Sequence, residues 1–224
     1  SAMLAGPGIA LNKTTEGTVT LSGANTYTGP TTVTAGTLLV SGSLSISSSM
    51  ATVSNTGSTL GGTGTVRDVT IGSGAILQGG VGTVASGTLT SGGAISFLDG
   101  AIIRLTLGAD GTHSSLTRTG GKWVFDNDQA FDFTIISGAS NTTYNDVISG
   151  LSGSETGLDS IGSWLITTAG VTGAFSYDGE GGVDLTVSVI PEPGIIALLP
   201  AGLLLLGLRR FRSARTKPRS LAPA

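Results

Sequence analysis

Val69-Thr70-Ile71-Gly72-Ser73-Gly74-Ala75-Ile76-Leu77 is the stretch on which the fold turns. Val69 and Ile71 flank a threonine, the period-two alternation of a strand with one buried face. A Gly-Ser-Gly corner follows, where glycine tolerates positive φ, and a second apolar run begins at once. The same unit recurs through residues 11–107. Val19-x-Leu21, Leu38-Leu39-Val40, Ile95-x-Phe97 and Ile103-x-Leu105-x-Leu107 are short strand-like runs, and Gly79-Gly80 and Gly92-Gly93 break the chain between such runs. Threonine and serine fill outward positions, and the β-branched threonines suit the pleat. Many short strands with almost no helical window point to a sandwich or a solenoid. Residues 11–107 hold only two aromatics, Tyr27 and Phe97. A sandwich core usually has several, whereas the thin interior of a solenoid is filled by small aliphatics, each coil burying its neighbours. The expected fold is therefore an all-β solenoid, whose open strand edges require a cap. Residues 108–189 bring in Trp123, Phe125, Phe131, Phe133, Trp164 and Phe175, together with the strand patterns Phe131-x-Phe133-x-Ile135 and Val183-x-Leu185-x-Val187-x-Val189. That region is expected to be a β-rich cap.

Composition narrows the function. Of 224 residues, 37 are Gly, 32 Thr and 27 Ser, only 11% are charged, and there is no cysteine. The glycines have no period of three, which excludes collagen. Disulfide frameworks and thiol chemistry are excluded as well, and one histidine, His113, cannot build a multi-histidine metal site. The net charge of −3 conceals two parts. Six of the 11 basic residues fall in positions 209–224, leaving a body of five basic against fourteen acidic residues, a net of −9. An acidic, sparsely charged body offers no patch for phosphate backbones, so no nucleic-acid partner is expected.

The C-terminal end has its own pattern. Ile190-Pro191-Glu192-Pro193 stops the strand before it, because proline cannot continue a ladder. Residues 194–208 then carry no charge and include nine Leu or Ile. As a helix they reach about 22 Å, short of a hydrocarbon core of about 30 Å. Arg209, Arg210 and Arg212 follow, the basic flank that stays cytoplasmic. A short transmembrane helix is expected, holding the body outside. At the other end, Ser1-Ala2-Met3 opens no secretory signal, and a trimmed or tagged N-terminus is expected.

Two resemblances follow. Leu21-Ser-Gly-Ala-Asn25-Thr-Tyr27-Thr-Gly29-Pro-Thr31-Thr-Val-Thr-Ala-Gly36-Thr-Leu38 resembles the autotransporter-associated β-strand repeat, L-x-G-x-N-x-Y-x-G followed by T-x-x-x-x-G-x-L. Residues 57–66 and 69–77 look like the rungs after it. The resemblance implies a right-handed parallel β-helix in a secreted or surface protein, with no catalytic residues to carry over. An autotransporter proper would need a C-terminal membrane β-barrel, and this chain ends in Ser220-Leu-Ala-Pro-Ala. The end of the chain is similar to a PEP-CTERM sorting signal: Pro191-Glu192-Pro193, the apolar run 194–208, then the arginines from Arg209 on. Its tail is somewhat longer than the usual stub. That resemblance implies recognition by an exosortase of Gram-negative bacteria, cleavage near the Pro-Glu-Pro, and passage of the body from a transient inner-membrane anchor to the cell surface or matrix. The expected organisation is a solenoid at 1–107, the cap at 108–189, the sorting signal at 190–212 and a basic cytoplasmic tail at 213–224.

Chemistry is sparse. Asp126-Asn127-Asp128 with Asp132 suggests calcium, but the glycine and glutamate of an EF-hand loop would fall on Phe131 and Ser137. A solvated acidic turn is the expectation there and at Asp178-Gly-Glu180. His113 beside Ser114 and Ser115 lacks a positioned acid. A polysaccharide-acting β-helix enzyme would need Arg67, Asp68, Asp99 and Arg104 to converge, and Tyr27 is more a core residue than a sugar platform. No catalytic residue, metal or cofactor is expected. The expected function is a structural or adhesive exoprotein; a carbohydrate-binding module of biofilm matrix, meeting extracellular polysaccharide, is the alternative.

Overall fold

The computed structural model describes residues 3–44, 50–137, 139 and 142–189. The described residues are all-β and are wound as successive coils whose strands fall into three sheets. One face holds β1 (Leu11–Lys13), β3 (Thr31–Val33), β5 (Ala51–Val53), β8 (Val69–Ile71), β11 (Ile95–Phe97) and β14 (Trp123–Val124). The second holds β2 (Thr18–Leu21), β4 (Thr37–Val40), β6 (Thr59–Gly62), β9 (Ile76–Gly79), β12 (Ile102–Leu107), β15 (Ala130–Ile135) and β17 (Leu165–Ile166). The third runs β7 (Thr65–Val66), β10 (Thr88–Ser91), β13 (Ser115–Arg118), β16 (Thr142–Ser149), β19 (Gly182–Val189) and β18 (Val171–Tyr177). Strand pairs in the first two sheets are all parallel, as are those of the third up to β16. Parallel bridges from Ala24 to Ser43 to Thr65 carry the third face down to the first coils.

Register turns the coil into columns. Leu38, Leu60, Leu77, Ile103 and Phe131 stack in one line, and Val33, Val53, Ile71 and Phe97 in another. Every one of these side chains is buried. The columns grow in size because the coil grows. Thr31 pairs with Ala51, 20 positions on, while Ile95 pairs with Trp123, 28 positions on. A longer coil encloses a wider lumen, which only larger side chains can fill at interior density. The arrival of aromatics near residue 108 reflects this widening, and the parallel ladder runs past Leu107 through β15, β16 and β17.

The solenoid end is closed differently. β16, β19 and β18 pair antiparallel, and Phe175 of β18 lies 4.3 Å from Phe131 between ring centroids. Phe97, Trp123 and Phe125 stack nearly parallel, at 6.4 Å and 5.3 Å, and Trp164 joins Phe125 at 4.8 Å. These rings pack as one aromatic cluster toward this end of the coil, and one compact unit ends at Val189. Among the described residues no helix is long and apolar enough to cross a membrane. The apolar run at 194–208 lies outside the described residues.

Between Leu21 and Val33 the alternation carries unusual inward residues. Asn25 is buried, and its Nδ2 donates to the carbonyls of Gly23 (3.0 Å) and Ser43 (2.8 Å). Its Oδ1 accepts the Leu4 amide at 2.9 Å. One side chain thereby ties three successive levels of the coil. Tyr27, likewise buried, shares a 2.6 Å hydrogen bond with Thr31 Oγ1. At Gly29 a Cβ would stand 2.4 Å from the Ile9 carbonyl oxygen, so no larger residue fits beneath the neighbouring coil. Asn25→Ala leaves buried backbone groups unpaired and is expected to cost about 1–3 kcal/mol, and Leu77→Ala about 2–5 kcal/mol. Thr52→Ala, on the outer face, should stay within about 0.5 kcal/mol. Urea unfolding of the three variants checks the ranking.

Candidate functional site

The polar chemistry of this chain collects at corners, because the strands spend their inward positions on packing. Residue by residue, the sequence candidates disperse. Arg104 Nε pairs with Asp132 Oδ2 at 2.8 Å on the outer face of the second sheet. Asp68 accepts the Ala94 amide at 2.7 Å, one coil on. Asp99 lies with Asp126 and Asp128. The convergence that a polysaccharide-cleaving groove would need is thus replaced by separate structural pairings. His113 Nδ1 lies 2.9 Å from the Gly111 carbonyl, and its ring meets Tyr144 edge-on at 5.9 Å. Ser114 Oγ accepts the Thr106 amide, and Ser115 Oγ bonds Thr88, so neither serine is paired with the imidazole. Tyr27 is core. Pro191, Glu192, Pro193, Arg209, Arg210 and Arg212 lie outside the described residues.

Two groups of carboxylates are brought together. Asp99, Asp126 and Asp128 place oxygens within 4.8 Å of one another, and so do Asp146, Asp178 and Asp184. Asp132, grouped with the first set by sequence, has turned to Arg104 instead. Asp99 replaces it because β11 and β14 pair, Ile95 with Trp123, which sets the turn after β11 beside the turn after β14. Hard cations such as calcium take oxygen ligands, six to eight of them, and each group supplies three carboxylates. Asp178 is held low in pKa by the amides of Gly182, Glu180 and Gly181, which donate to its Oδ1.

A cavity of about 600 Å³ opens where the turn after β14, residues 153–159 and the end of β18 meet. Asn127, Asp159 and Tyr177 reach its walls, and Gly153 and Gly157, both at φ +81°, supply bare backbone. Glu155 forms part of the lining, with its side chain only 2% exposed. Its Oε1 accepts the Ser152 amide (2.6 Å), the Ser152 hydroxyl (2.9 Å) and Arg118 Nη2 (3.3 Å). Arg118 also donates Nη1 to the carbonyls of Gly120 and Gly121, and Nη2 to that of Gly150. The guanidinium therefore staples two coil corners to the closing segment. Glu155 Oε2 and Arg118 Nε are buried without a hydrogen-bond partner. Sequence reading missed this pair. Position 118 sits on a strand and 155 in a Ser/Gly loop, and the pairing of β13 with β16 and the bridge of Val124 to Thr156 bring them together.

Residues 11–40 match the family model of the passenger-associated-transport-repeat. The match spans the motif from Leu21 to Leu38, and the residues that define it are those turned inward: Gly23, Asn25, Tyr27, Gly29 and Thr31 are all buried. The later rungs at 57–66 and 69–77 continue the same columns without falling in the matched range. No curated protein matches the chain.

Burial opposes ionisation of Glu155, but the Ser152 amide and hydroxyl and neighbouring backbone amides together outweigh it, so its pKa lies below the usual value. A folded-state pKa below the unfolded one gives stability that is present above about pH 4.3, the unfolded value, and lost as pH falls through the folded one. Wild type should exceed Glu155→Gln in stability at neutral pH, with the gap closing as the pH drops below about 4. Denaturant unfolding of both proteins over that range checks it; a constant gap would contradict the assignment.

Proposed function

We propose that this chain is the body of an exported, non-enzymatic surface or matrix protein, a coil that serves as a structural or adhesive element outside the cell. The observation that carries the reading is the 11–40 repeat match, realised as a parallel coil in which most of the motif residues are buried in the stack. A motif spent on packing builds length and presents a surface; it brings no reactive group to that surface. The outer positions fit the role. Thr32, Thr52, Thr70 and Ser96 form an outward column on the first face. On the third face the hydroxyls of Thr88 and Ser115 bond each other at 2.8 Å. Such faces are weakly charged and suited to repeated weak contacts.

Export is assigned to the C-terminal end. Pro191-Glu192-Pro193 would mark the processing region, which prolines keep extended. Residues 194–208 would act as a transient inner-membrane anchor, and Arg209, Arg210 and Arg212 would hold its end in the cytoplasm. An exosortase would then cut near Pro191 and release the body. An anchor marginally too short for the bilayer is consistent with a precursor that is held only until it is processed.

Intact mass and fractionation of the precursor, expressed with and without an exosortase, test this. The expected result is loss of mass from near Pro191 and departure of the body from the membrane fraction only when the enzyme is present. An uncut chain in the membrane in both hosts would make 194–208 a permanent anchor and remove the sorting step.

A further inference from the structure

Glu155 and Thr156 tie one wall of the cavity to the coil, and the rest of its lining has hydrogen-bonding capacity to spare. The Asp159 carboxylate is exposed and makes no hydrogen bond among the described residues, and neither does Tyr177 Oη. Asn127 Oδ1 accepts Ser160 Oγ at 3.4 Å, which turns the amide so that its two N–H donors remain available. Glu155 Oε2 is a buried acceptor with no donor. Such groups are normally satisfied by protein or ordered water, and this oxygen is closed off from the cavity, so the exposed groups are the ones a ligand can meet.

The geometry of the wall is prepared for a ligand. A Cβ at Gly153 would stand 3.3 Å from the Tyr177 ring and 3.0 Å from its oxygen, so the ring lies against bare backbone. Backbone contact on one side fixes the ring's orientation before anything binds, which lowers the entropic cost of binding. Gly157 is packed as closely, 2.5 Å from the Phe125 carbonyl oxygen at its Cβ position, so the loop cannot be filled by side chains at either glycine. The volume of about 600 Å³ lies within the range of small-molecule sites and exceeds what a single water needs.

The polar set selects the ligand class. The charge of Glu155 is already opposed by Arg118 at 3.3 Å, leaving Asp159 as the one uncompensated charge in the lining. An amine would find a single carboxylate and no enclosing aromatic cage. A pyranose ring finds more. Adjacent hydroxyls, each able to donate and accept, can give hydrogens to Asp159 and receive them from Asn127, while a C–H face lies on the Tyr177 ring. We propose that the cavity binds one neutral pyranose unit of an extracellular polysaccharide, with Tyr177 as platform and Asp159 and Asn127 reading neighbouring hydroxyls. This rests on the reading of the protein as a surface or matrix component and names its partner. It concerns the closing segment of the coil, away from the hydroxyl columns of the sheets.

The test is saturation-transfer NMR on the full chain, kept in a detergent without a sugar headgroup. Methyl glucoside, methyl galactoside and n-butylamine are each added at about 10 mM, a concentration that reveals dissociation constants near 1 mM. Transfer to the protons of at least one glycoside is expected. Asp159→Ala and Tyr177→Phe should fold as the wild type does, because one residue is exposed and the other keeps its ring. Asp159→Ala is expected to weaken binding at least tenfold, Tyr177→Phe two- to fivefold, and Thr52→Ala, on another face, not at all. Transfer to butylamine alone, transfer to no compound, or transfer that Asp159→Ala leaves unchanged would each overturn the proposal. The readout needs no export or processing, so it can fail while the sorting reading stands, and the reverse.

Discussion

Backbone hydrogen bonds in this protein run along the coil axis, so each inward side chain has as its nearest neighbours the residues directly above and below it, about 4.8 Å away. That constraint decides most of what the sequence can contain. An inward residue must match its column, and the column must match the coil's circumference. Val33, Val53 and Ile71 can be small because their coils are short; Phe97 and Trp123 are large because theirs are not. A single oversized residue in a lower coil would force the ladder apart on both sides. The scarcity of aromatics in the first hundred residues therefore follows from geometry, with no need of a compositional preference.

The same constraint explains which polar groups are buried. A closed coil must turn corners, and at each corner backbone carbonyls and amides leave the sheet ladder. Asn25 serves three of them through one amide, and Arg118 serves three carbonyls through one guanidinium. Both devices span levels of the coil, so they fix its registration as well as satisfying its corners. Arg118 needs a counter-charge at that depth, and Glu155 supplies it, since an unpaired buried charge is strongly destabilising. The pair leaves one oxygen and one nitrogen, both fully buried, without a hydrogen-bond partner.

Much of the coil was legible because its rule is local. Alternation and small side chains named the strands, the glycines named the corners, and the Leu21–Leu38 motif named the stacked repeat, matched at residues 11–40. What was illegible depends on coil length. Successive registers differ by 17 to 35 positions, because corner segments such as 80–87 and 108–114 lengthen the coil without altering the alternation. No pattern along the chain announces that Asp99 will join Asp126, or that Arg118 will meet Glu155. The antiparallel turn at the end was hidden for a related reason: Val183-x-Leu185-x-Val187 reads as a strand in either direction.

These limits also say where function can reside. Outward positions on the flat faces are largely Thr and Ser, some of whose hydroxyls bond across the rungs as Thr88 does with Ser115, with the Arg104–Asp132 pair on the second face as an exception. Such faces are regular and sparse in reactive groups, and they offer few unlike side chains to gather around one ligand. Gathering them requires chain that has left the ladder, and in this protein that chain lies at the corners and in the closing segment. There the backbone is free to place a carboxylate, an amide and a phenol about one hollow, while the ladder beneath holds them still. The repeat thus provides extent and rigidity, and selectivity has to come from the segment that ends it.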